Sequence, residues 1–179
     1  VVAFAFCLHA ASVSAQVINP SFEDDVLPNT GNQFFDGDPM GWTTTGAAGP
    51  QRYNGGFTPT ATDGFNHAFA NGGATISQVL SDVISDGEIY TLTVDVGEVN
   101  VFSGSTAAIQ LFGDSAGLGT PLSNANGTAE LAGIDPTSGA YTELSVTYEA
   151  LASGDPFAGQ ALGIGLIGES GTQVIFDNV

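Results

Sequence analysis

Carboxylates are the side chains of this sequence with the greatest capacity for chemistry. The 179 residues include 19 Asp and Glu, two His and one Cys, but only one basic residue, Arg52. Two carboxyl groups can hydrolyse a glycosidic bond, one as acid and the other as base or nucleophile. Nothing in the spacing of these acids singles out such a pair. No catalytic residue is therefore predicted, and the chain is not expected to be an enzyme.

Aromatic and polar residues in the first third of the chain suggest carbohydrate binding. Trp42, Tyr53 and Phe57 lie in a loop-rich region, with Trp42 in a short predicted strand, and Arg52 precedes Tyr53. Aromatic faces stack on sugar rings, while polar groups beside them orient the hydroxyls. These four residues form the predicted carbohydrate-binding set. Trp42 has an alternative place in the core, at one end of a β-sandwich.

Two further groups have weaker chemical significance. An acidic cluster precedes Trp42, with Asp36-Gly-Asp38 at calcium-like spacing but without the rest of an EF-hand loop, so a solvated acidic loop is favoured. The cluster comprises Asp24, Asp25, Asp36 and Asp38.

His67 is interpreted as a structural histidine in a strand, with no nucleophile predicted beside it. A zinc site is not expected without a second ligand of His or Cys type.

The charge balance excludes two classes of partner. A formal net charge of -18 opposes binding to nucleic acids and to anionic membranes, because both require a positive surface. An acidic surface also keeps a protein soluble. No nucleic-acid or anionic-membrane partner is therefore expected, and an extracellular polysaccharide is a possible partner.

The first 15 residues have the pattern of a signal peptide. Residues 1–11 form an apolar run too short to span a bilayer, and residues 12–16 contain a small-x-small cleavage pattern. Cleavage is predicted after Ala15, with the basic n-region missing, and a buried first strand is the alternative. Cys7 lies in this segment, so residues 16–179 would form a secreted, cysteine-free single domain, truncated at its C-terminus.

Residues 88–97 predict the central strand of the fold. Tyr90, Leu92, Val94 and Val96 alternate with polar residues, which gives an apolar face toward a core and a polar face toward water. The short alternating runs elsewhere, separated by turn residues, predict an all-β antiparallel β-sandwich. A hairpin is predicted around Asn71-Gly72, and Gly163 and Gly165 predict close packing on one face. The other predicted strands are residues 16–23, 41–43, 65–70, 74–80, 107–112, 141–148, 160–167 and 173–179, with two weak candidates in 118–134.

Five motifs occur in an order that resembles one known family. They are Asn19-Pro-Ser-Phe-Glu23, Gly41-Trp42, Ile76-Ser-Gln78, Gly87-Glu-Ile-Tyr90-Thr-Leu and Phe176-Asp-Asn-Val179. Together they resemble the galactose-binding-like jelly roll of carbohydrate-binding modules, especially families four and nine. The strands Thr-Val-Asp-Val-Gly and Val-x-Phe-Asp-Asn-Val are also similar to bacterial secreted proteins that carry a PEP-CTERM sorting tail.

The resemblance implies a structural calcium ion held by Glu23 and Asp177, with ordinary solvated carboxylates as the alternative. Calcium takes six to eight oxygen ligands, so the residue types are suitable. The expected function is a secreted, non-catalytic, calcium-stabilised module that binds carbohydrate. Two alternatives stay open, namely a structural cell-surface or matrix protein without a sugar site and, more distantly, a glycan-active enzyme.

Overall fold

The fold is all-β in the residues that the computed structural model describes, which are 15–28, 33–53, 56–115 and 117–179. No helix in this part of the chain is long and apolar enough to cross a membrane. Its strands are β1 (Thr43–Thr45), β2 (Ala48–Arg52), β3 (Asn66–Ala70), β4 (Thr75–Val83), β5 (Ile89–Glu98), β6 (Thr106–Gly113), β7 (Ser123–Asn124), β8 (Gly127–Thr128), β9 (Glu130–Ile134), β10 (Tyr141–Glu149), β11 (Ala161–Ser170) and β12 (Val174–Asp177).

Two five-stranded antiparallel sheets form the sandwich. Sheet A has the order β10-β5-β12-β3-β2, and sheet B has the order β1-β4-β11-β6-β9. A small two-stranded ribbon of β7 and β8 lies outside them. The predicted antiparallel β-sandwich of jelly-roll type is therefore confirmed.

β5 lies inside sheet A, as its alternation predicts. It pairs with β10 along residues 89–97 and with β12 along residues 95–98. Leu92, Val94 and Val96 are buried in the core between the sheets. The prediction of a polar face toward water is only partly correct, because Asp95 on the outer face is 8% exposed.

The glycines of β11 allow close packing on the outer face of sheet B. A Cβ at Gly163 would lie 2.4 Å from the Phe112 ring, and one at Gly165 would lie 2.4 Å from Leu118. Such distances are far below van der Waals contact. The close packing predicted at these two glycines is thus present.

Three predictions about individual elements are wrong. Residues 16–23 form turns instead of an opening strand, with Asn19 and Phe22 at positive φ. Residues 48–52, predicted as loop, form β2, where Pro50 is tolerated because β2 is an edge strand. The predicted hairpin around Asn71-Gly72 does not form, since β3 belongs to sheet A and β4 to sheet B. Of the predicted signal peptide, residues 1–14 lie outside the described residues.

Candidate active site

A half-open cavity of about 300 Å³, with both apolar and polar lining groups, lies between the two sheets at the end where β5 and β11 begin. Both sheets contribute to it, together with the chain segments at Ala15, Val17 and Val179. Leu92 comes from sheet A, and the apolar residues of sheet B are Leu80, Leu111, Leu162 and Ile164. These are also residues of the hydrophobic core, so the cavity penetrates the sandwich.

The polar groups of the cavity come from the first half of β5. Tyr90, Thr91 and Thr93 line it, and the Tyr90 hydroxyl accepts a hydrogen bond of 2.8 Å from the Ser85 N–H. β12 pairs with β5 only from residue 95 onward, so residues 89–94 have a strand partner on one side alone within the described sheet. The backbone of Thr91 and Thr93 and the side chain of Tyr90 therefore lie beside the apolar side chains of the cavity, while the Thr91 hydroxyl pairs with Thr147 on the outer face of sheet A.

An acidic recess of about 220 Å³ adjoins the cavity. Ile89 and Tyr90 line both spaces, as does Ala15, the last residue of the predicted signal peptide. The recess adds Asp82 and Glu88, of which Asp82 is half-buried and Glu88 is exposed. An apolar cavity with carboxyl groups next to it can enclose a hydrophobic molecule and stabilise positive charge that develops on it.

The predicted calcium ligands both contact the segment 62–66. Glu23 accepts hydrogen bonds from the backbone N–H groups of residues 65 and 66. The Oδ2 atom of Asp177 accepts bonds from the Thr62 N–H at 2.7 Å, the Thr62 hydroxyl at 2.9 Å and the N–H of residue 63 at 3.1 Å. The structure therefore brings both carboxylates to the same segment, although they are far apart in sequence.

The residues around this segment include oxygen donors beside Glu23 and Asp177. The Asn66 Oδ1 atom is buried without a hydrogen-bond partner, while its Nδ2 donates to the carbonyl oxygens of Phe22 and Asp25. Oxygen ligands of this kind are those that Ca²⁺ prefers. The described residues contain no group of three His, Cys, Asp or Glu that could hold a metal ion. Amide and carbonyl oxygens would have to complete the ligand set beside Glu23 and Asp177.

The predicted carbohydrate-binding residues separate into two environments. Trp42 is 4% exposed, its ring centroid lies 5.4 Å from that of Phe22, and its indole N–H donates to the Asn19 carbonyl. Phe57 is half-buried and packs edge-on against Phe102 at 5.8 Å. Trp42 therefore occupies its alternative place in the core, and Phe57 belongs to a small aromatic contact with Phe102.

Arg52 and Tyr53 do lie together near an exposed ring. The Arg52 guanidinium lies 4.9 Å from the centroid of Phe65, which is 58% exposed. The Tyr53 N–H donates to the Phe65 carbonyl at 2.7 Å. Phe65 was not among the predicted residues, since it was assigned to the start of a strand.

His67 is a buried structural residue, as predicted. It is fully buried on β3, its Nε2 lies 3.2 Å from Gln51 Oε1, and burial lowers its pKa to about 3. The segment Gly113-Asp-Ser-Ala-Gly117 has the Gly-x-Ser-x-Gly spacing of a nucleophile elbow. No helix follows it among the described residues, and β6 lies in the other sheet from His67. Ser115 of this segment and His67 therefore do not form a hydrolase dyad.

The acidic loop before Trp42 serves the local backbone. Asp25 accepts hydrogen bonds from the Met40 N–H and from Asn19, and Asp38 accepts bonds from the N–H and hydroxyl of Thr44. Backbone and side-chain bonds from Thr44 lower the pKa of Asp38. The predicted solvated loop is therefore correct for Asp24, Asp36 and Asp38, which are exposed, but not for Asp25, which is buried.

Comparison with solved structures defines the class of protein as a jelly-roll β-sandwich shared by cyclases and carbohydrate-binding modules. A cyclase from Fischerella sp., in apo form, is 26% identical with a TM-score of 0.76, covering 93% of this chain and 94% of that one. A Fischerella sp. TAU cyclase in complex with 4-(1H-indol-3-yl)butan-2-one is 24% identical with a TM-score of 0.74, covering 93% and 95%. The CBM22-1 xylan-binding domain of Paenibacillus barcinonensis Xyn10C is 17% identical with a TM-score of 0.54, covering 88% and 87%.

The family itself is shown by sequence. The HpiC1 cyclase family model matches residues 13–179, so the chain belongs to the HpiC1-like cyclase family. No curated protein sequence matches it. The prediction that the chain is not an enzyme is wrong, because this family and the similar Fischerella structures are cyclases. The resemblance to carbohydrate-binding modules was correct for the fold.

The cavity was not found by sequence reasoning. Alternation along β5 correctly placed Tyr90 and Leu92 on the core face. The cavity also needs Leu111 and Leu162, whose strands are distant in sequence, and their periodicity is that of ordinary core residues. No local signal distinguishes a residue that lines a cavity from one that fills a core.

Proposed function

We propose that this protein is a cyclase that binds the apolar body of its substrate in the cavity between β5 and β11. The observation that carries the proposal is an interior cavity of about 300 Å³ in a member of a cyclase family. Small-molecule sites are typically clefts of roughly 300–1,000 Å³ with apolar walls and few polar groups. The cavity meets that description at its lower limit, which favours a compact substrate.

The proposed reaction is an isomerisation that closes a ring. A proton added to an unsaturated carbon or carbonyl creates an electrophile, a carbon–carbon bond forms to it, and loss of a proton restores neutrality. Leu92, Leu162 and Ile164 would exclude water, which would otherwise capture the electrophile. Asp82 and Glu88, in the adjoining recess, are the carboxyl groups that we propose exchange protons with the substrate.

The test is a product assay with a variant that fills the cavity entrance. Indoles with an alkenyl side chain at carbon 3 are incubated with the protein, and chromatography with mass spectrometry detects cyclised isomers of unchanged mass. Ile89→Trp should abolish product formation, because Ile89 is 64% exposed and lines both spaces. Val79→Trp is the matched control, since Val79 is 53% exposed and lines neither. Equal activity of the two variants would refute the site.

We also propose a structural calcium ion held by Glu23 and Asp177. The fit of the oxygen donors around residues 62–66 and the buried Asn66 Oδ1 support it. The ion would connect segments near both ends of the described chain, and it takes no part in the proposed reaction.

Carbohydrate binding is a second candidate function, supported by one observation. Phe65 presents an exposed ring with the Arg52 guanidinium over it and Tyr53 beside it. The fold is shared with the CBM22-1 xylan-binding domain. Screening on a glycan array, with Phe65→Ala as the comparison, would detect binding to a polysaccharide at this surface. Binding that survives Phe65→Ala would exclude this surface as the site.

Secretion is proposed from the signal-peptide pattern of residues 1–15 alone. A PEP-CTERM sorting tail stays a prediction from the same resemblance. Expression of the gene with its own leader in a bacterial host, followed by fractionation and N-terminal sequencing, tests both the export and the cut after Ala15.

A further inference from the structure

The segment that follows the predicted signal peptide is anchored beside the cavity. The Ile18 N–H donates to Gln78 Oε1 at 2.8 Å, and Gln78 Nε2 donates to the Ile18 carbonyl at 3.0 Å. Val17, one residue earlier, lines the cavity and packs against the core. A chain that begins at Gln16 would therefore have its N-terminus within about 7 Å of this anchor, since two residues span no more than that distance.

Ala15 and Gln16 have different surroundings at this position. Ala15 is half-buried and lines both the cavity and the recess, whereas Gln16 is exposed and lines neither. The predicted cleavage after Ala15 would remove that residue from both linings. It would also make Gln16 the terminal residue, with a free α-amino group beside the cavity.

An N-terminal glutamine can react with its own α-amino group. The amine is partly uncharged near neutral pH, and the two reacting groups belong to one residue, so they are held close together. The reaction needs a side chain that is free to turn back toward the amine. Gln16 meets this condition, because it is the one exposed glutamine in the part of the chain that the structure describes.

We propose that the mature protein carries a pyroglutamate at position 16. The α-amino nitrogen attacks Cδ of the Gln16 side chain, a carbon–nitrogen bond forms, and the bond between Cδ and Nε2 breaks. A proton of the amine leaves with that side-chain nitrogen as ammonia, so no oxidant or second reactant is needed. This inference rests on the proposed cleavage after Ala15, and it adds a modified residue beside the cavity.

The modification has two consequences for the cavity. The lactam is neutral, so the terminus brings no ammonium group to the apolar side chains of the lining, where a charge would be costly. The lactam also leaves no free amine for an aminopeptidase. Protection matters here, because trimming beyond Gln16 would remove Val17 from the cavity lining.

Mass spectrometry of the exported protein tests the proposal. The gene is expressed with its own leader in a bacterial host, and an endoproteinase that cuts after Glu releases the peptide of residues 16–23. This peptide should be lighter than its sequence predicts by the mass of one ammonia molecule, and fragmentation should assign the loss to Gln16 and not to Asn19. A synthetic peptide of the same sequence with a free amine, treated in parallel, measures the cyclisation that occurs during the work-up. A cyclised fraction no larger than in this synthetic peptide would overturn the inference.

Gln16→Asn is the matched control. Its carboxamide is one methylene shorter, so the same attack would close a strained four-membered ring, and its peptide should keep the full mass. Equal loss of ammonia from residue 16 in both proteins would overturn the inference.

The same spectra distinguish this inference from the proposed secretion. A peptide that begins at Gln16 with its full mass would overturn the modification and leave the cleavage after Ala15 in place. A peptide that begins at another residue would refute the cleavage site together with the inference.

Discussion

Asp177 on β12 lies directly opposite Asp95 on β5 in the antiparallel ladder of sheet A. Both side chains are buried, and like charges directly opposite each other destabilise a sheet. Burial raises the pKa of Asp177 to about 6, although hydrogen bonds from residues 62, 63 and 178 act in the other direction. The stability of this part of the fold therefore depends on the protonation of Asp177 and, in our proposal, on the binding of a cation.

The first prediction is a pH dependence of unfolding caused by Asp177. The pKa of Asp177 is about 6 in the folded protein, against the ordinary value of 3.8 in the unfolded chain. Between these values the folded state keeps a proton that the unfolded state has lost, so the contribution of Asp177 to the free energy of unfolding falls as pH rises toward 6. Denaturant titrations in EDTA from pH 4 to 7 should show a smaller decline for Asp177→Asn than for the unmodified protein.

Glu143→Gln is the control for this slope. Glu143 lies on β10, directly opposite Asp95 of β5, and its side chain is exposed. The substitution therefore removes a charge from the same row of carboxylates without altering a buried side chain. The control should keep the slope of the unmodified protein. Identical slopes for Asp177→Asn and the unmodified protein would contradict a raised pKa at Asp177.

The second prediction concerns calcium. A ligand at about 100 times its dissociation constant stabilises the folded state by about 2.7 kcal/mol, which raises the midpoint of thermal unfolding by several degrees. Calcium added after EDTA should produce such a rise at pH 7, and Glu23→Gln and Asp177→Asn should each remove it. Asp36→Asn, in the exposed acidic loop, should leave it intact. No calcium effect on the unmodified protein would argue against the ion.

The third prediction concerns a buried hydrogen bond on the other side of sheet A. The Tyr148 hydroxyl donates to the Asp155 carboxylate at 2.7 Å, and both residues are buried. Burial and this bond raise the pKa of Tyr148. Tyr148→Phe should lower the free energy of unfolding by about 2 kcal/mol, since it removes a bond to a charged group. Tyr53→Phe, at a half-buried position, should change it by less than about 0.5 kcal/mol. Equal effects of the two changes would refute this role for the bond.

The fourth prediction concerns the close packing of Phe112 against Gly163 of β11. Gly163→Ala would place a Cβ 2.4 Å from the Phe112 ring and should destabilise the protein by about 1–3 kcal/mol through overpacking. Gly56→Ala is the control, because no atom of the described residues lies within 4 Å of the added Cβ there. Denaturant midpoints of the two variants give the comparison, and a neutral Gly163→Ala would contradict the packing.

The fold was largely predictable because its signal is local. Alternation in β5 and β10 depends on neighbouring residues, and it identified the core face of both strands. β2 was missed because Gly49 and Pro50 are typical of loops, and only its edge position permits them. The hairpin between β3 and β4 was wrongly predicted. Asn71-Gly72 indicates a turn, but it does not indicate which sheet the following strand joins.

The candidate site was less predictable for a different reason. Glu23 and Asp177 were named from a resemblance, and the structure brings both to residues 62–66. The cavity depends on how far two sheets separate at one end, which no residue encodes alone. Nothing in the sequence distinguishes Asp82 and Glu88 from the rest of the 19 Asp and Glu residues. Only the structure shows that they line the recess beside the cavity.

The most direct test of the proposed active site is an NMR titration with 4-(1H-indol-3-yl)butan-2-one, using the backbone amide signals of the ¹⁵N-labelled chain. If the cavity is the substrate site, the signals of residues 89–93 and 162–164 should shift with saturation, and Ile89→Trp should prevent the shift. Those of residues 52, 53 and 65 should stay in place. Shifts confined to residues 52, 53 and 65, or no saturable shift at all, would contradict the assignment of the cavity as the active site.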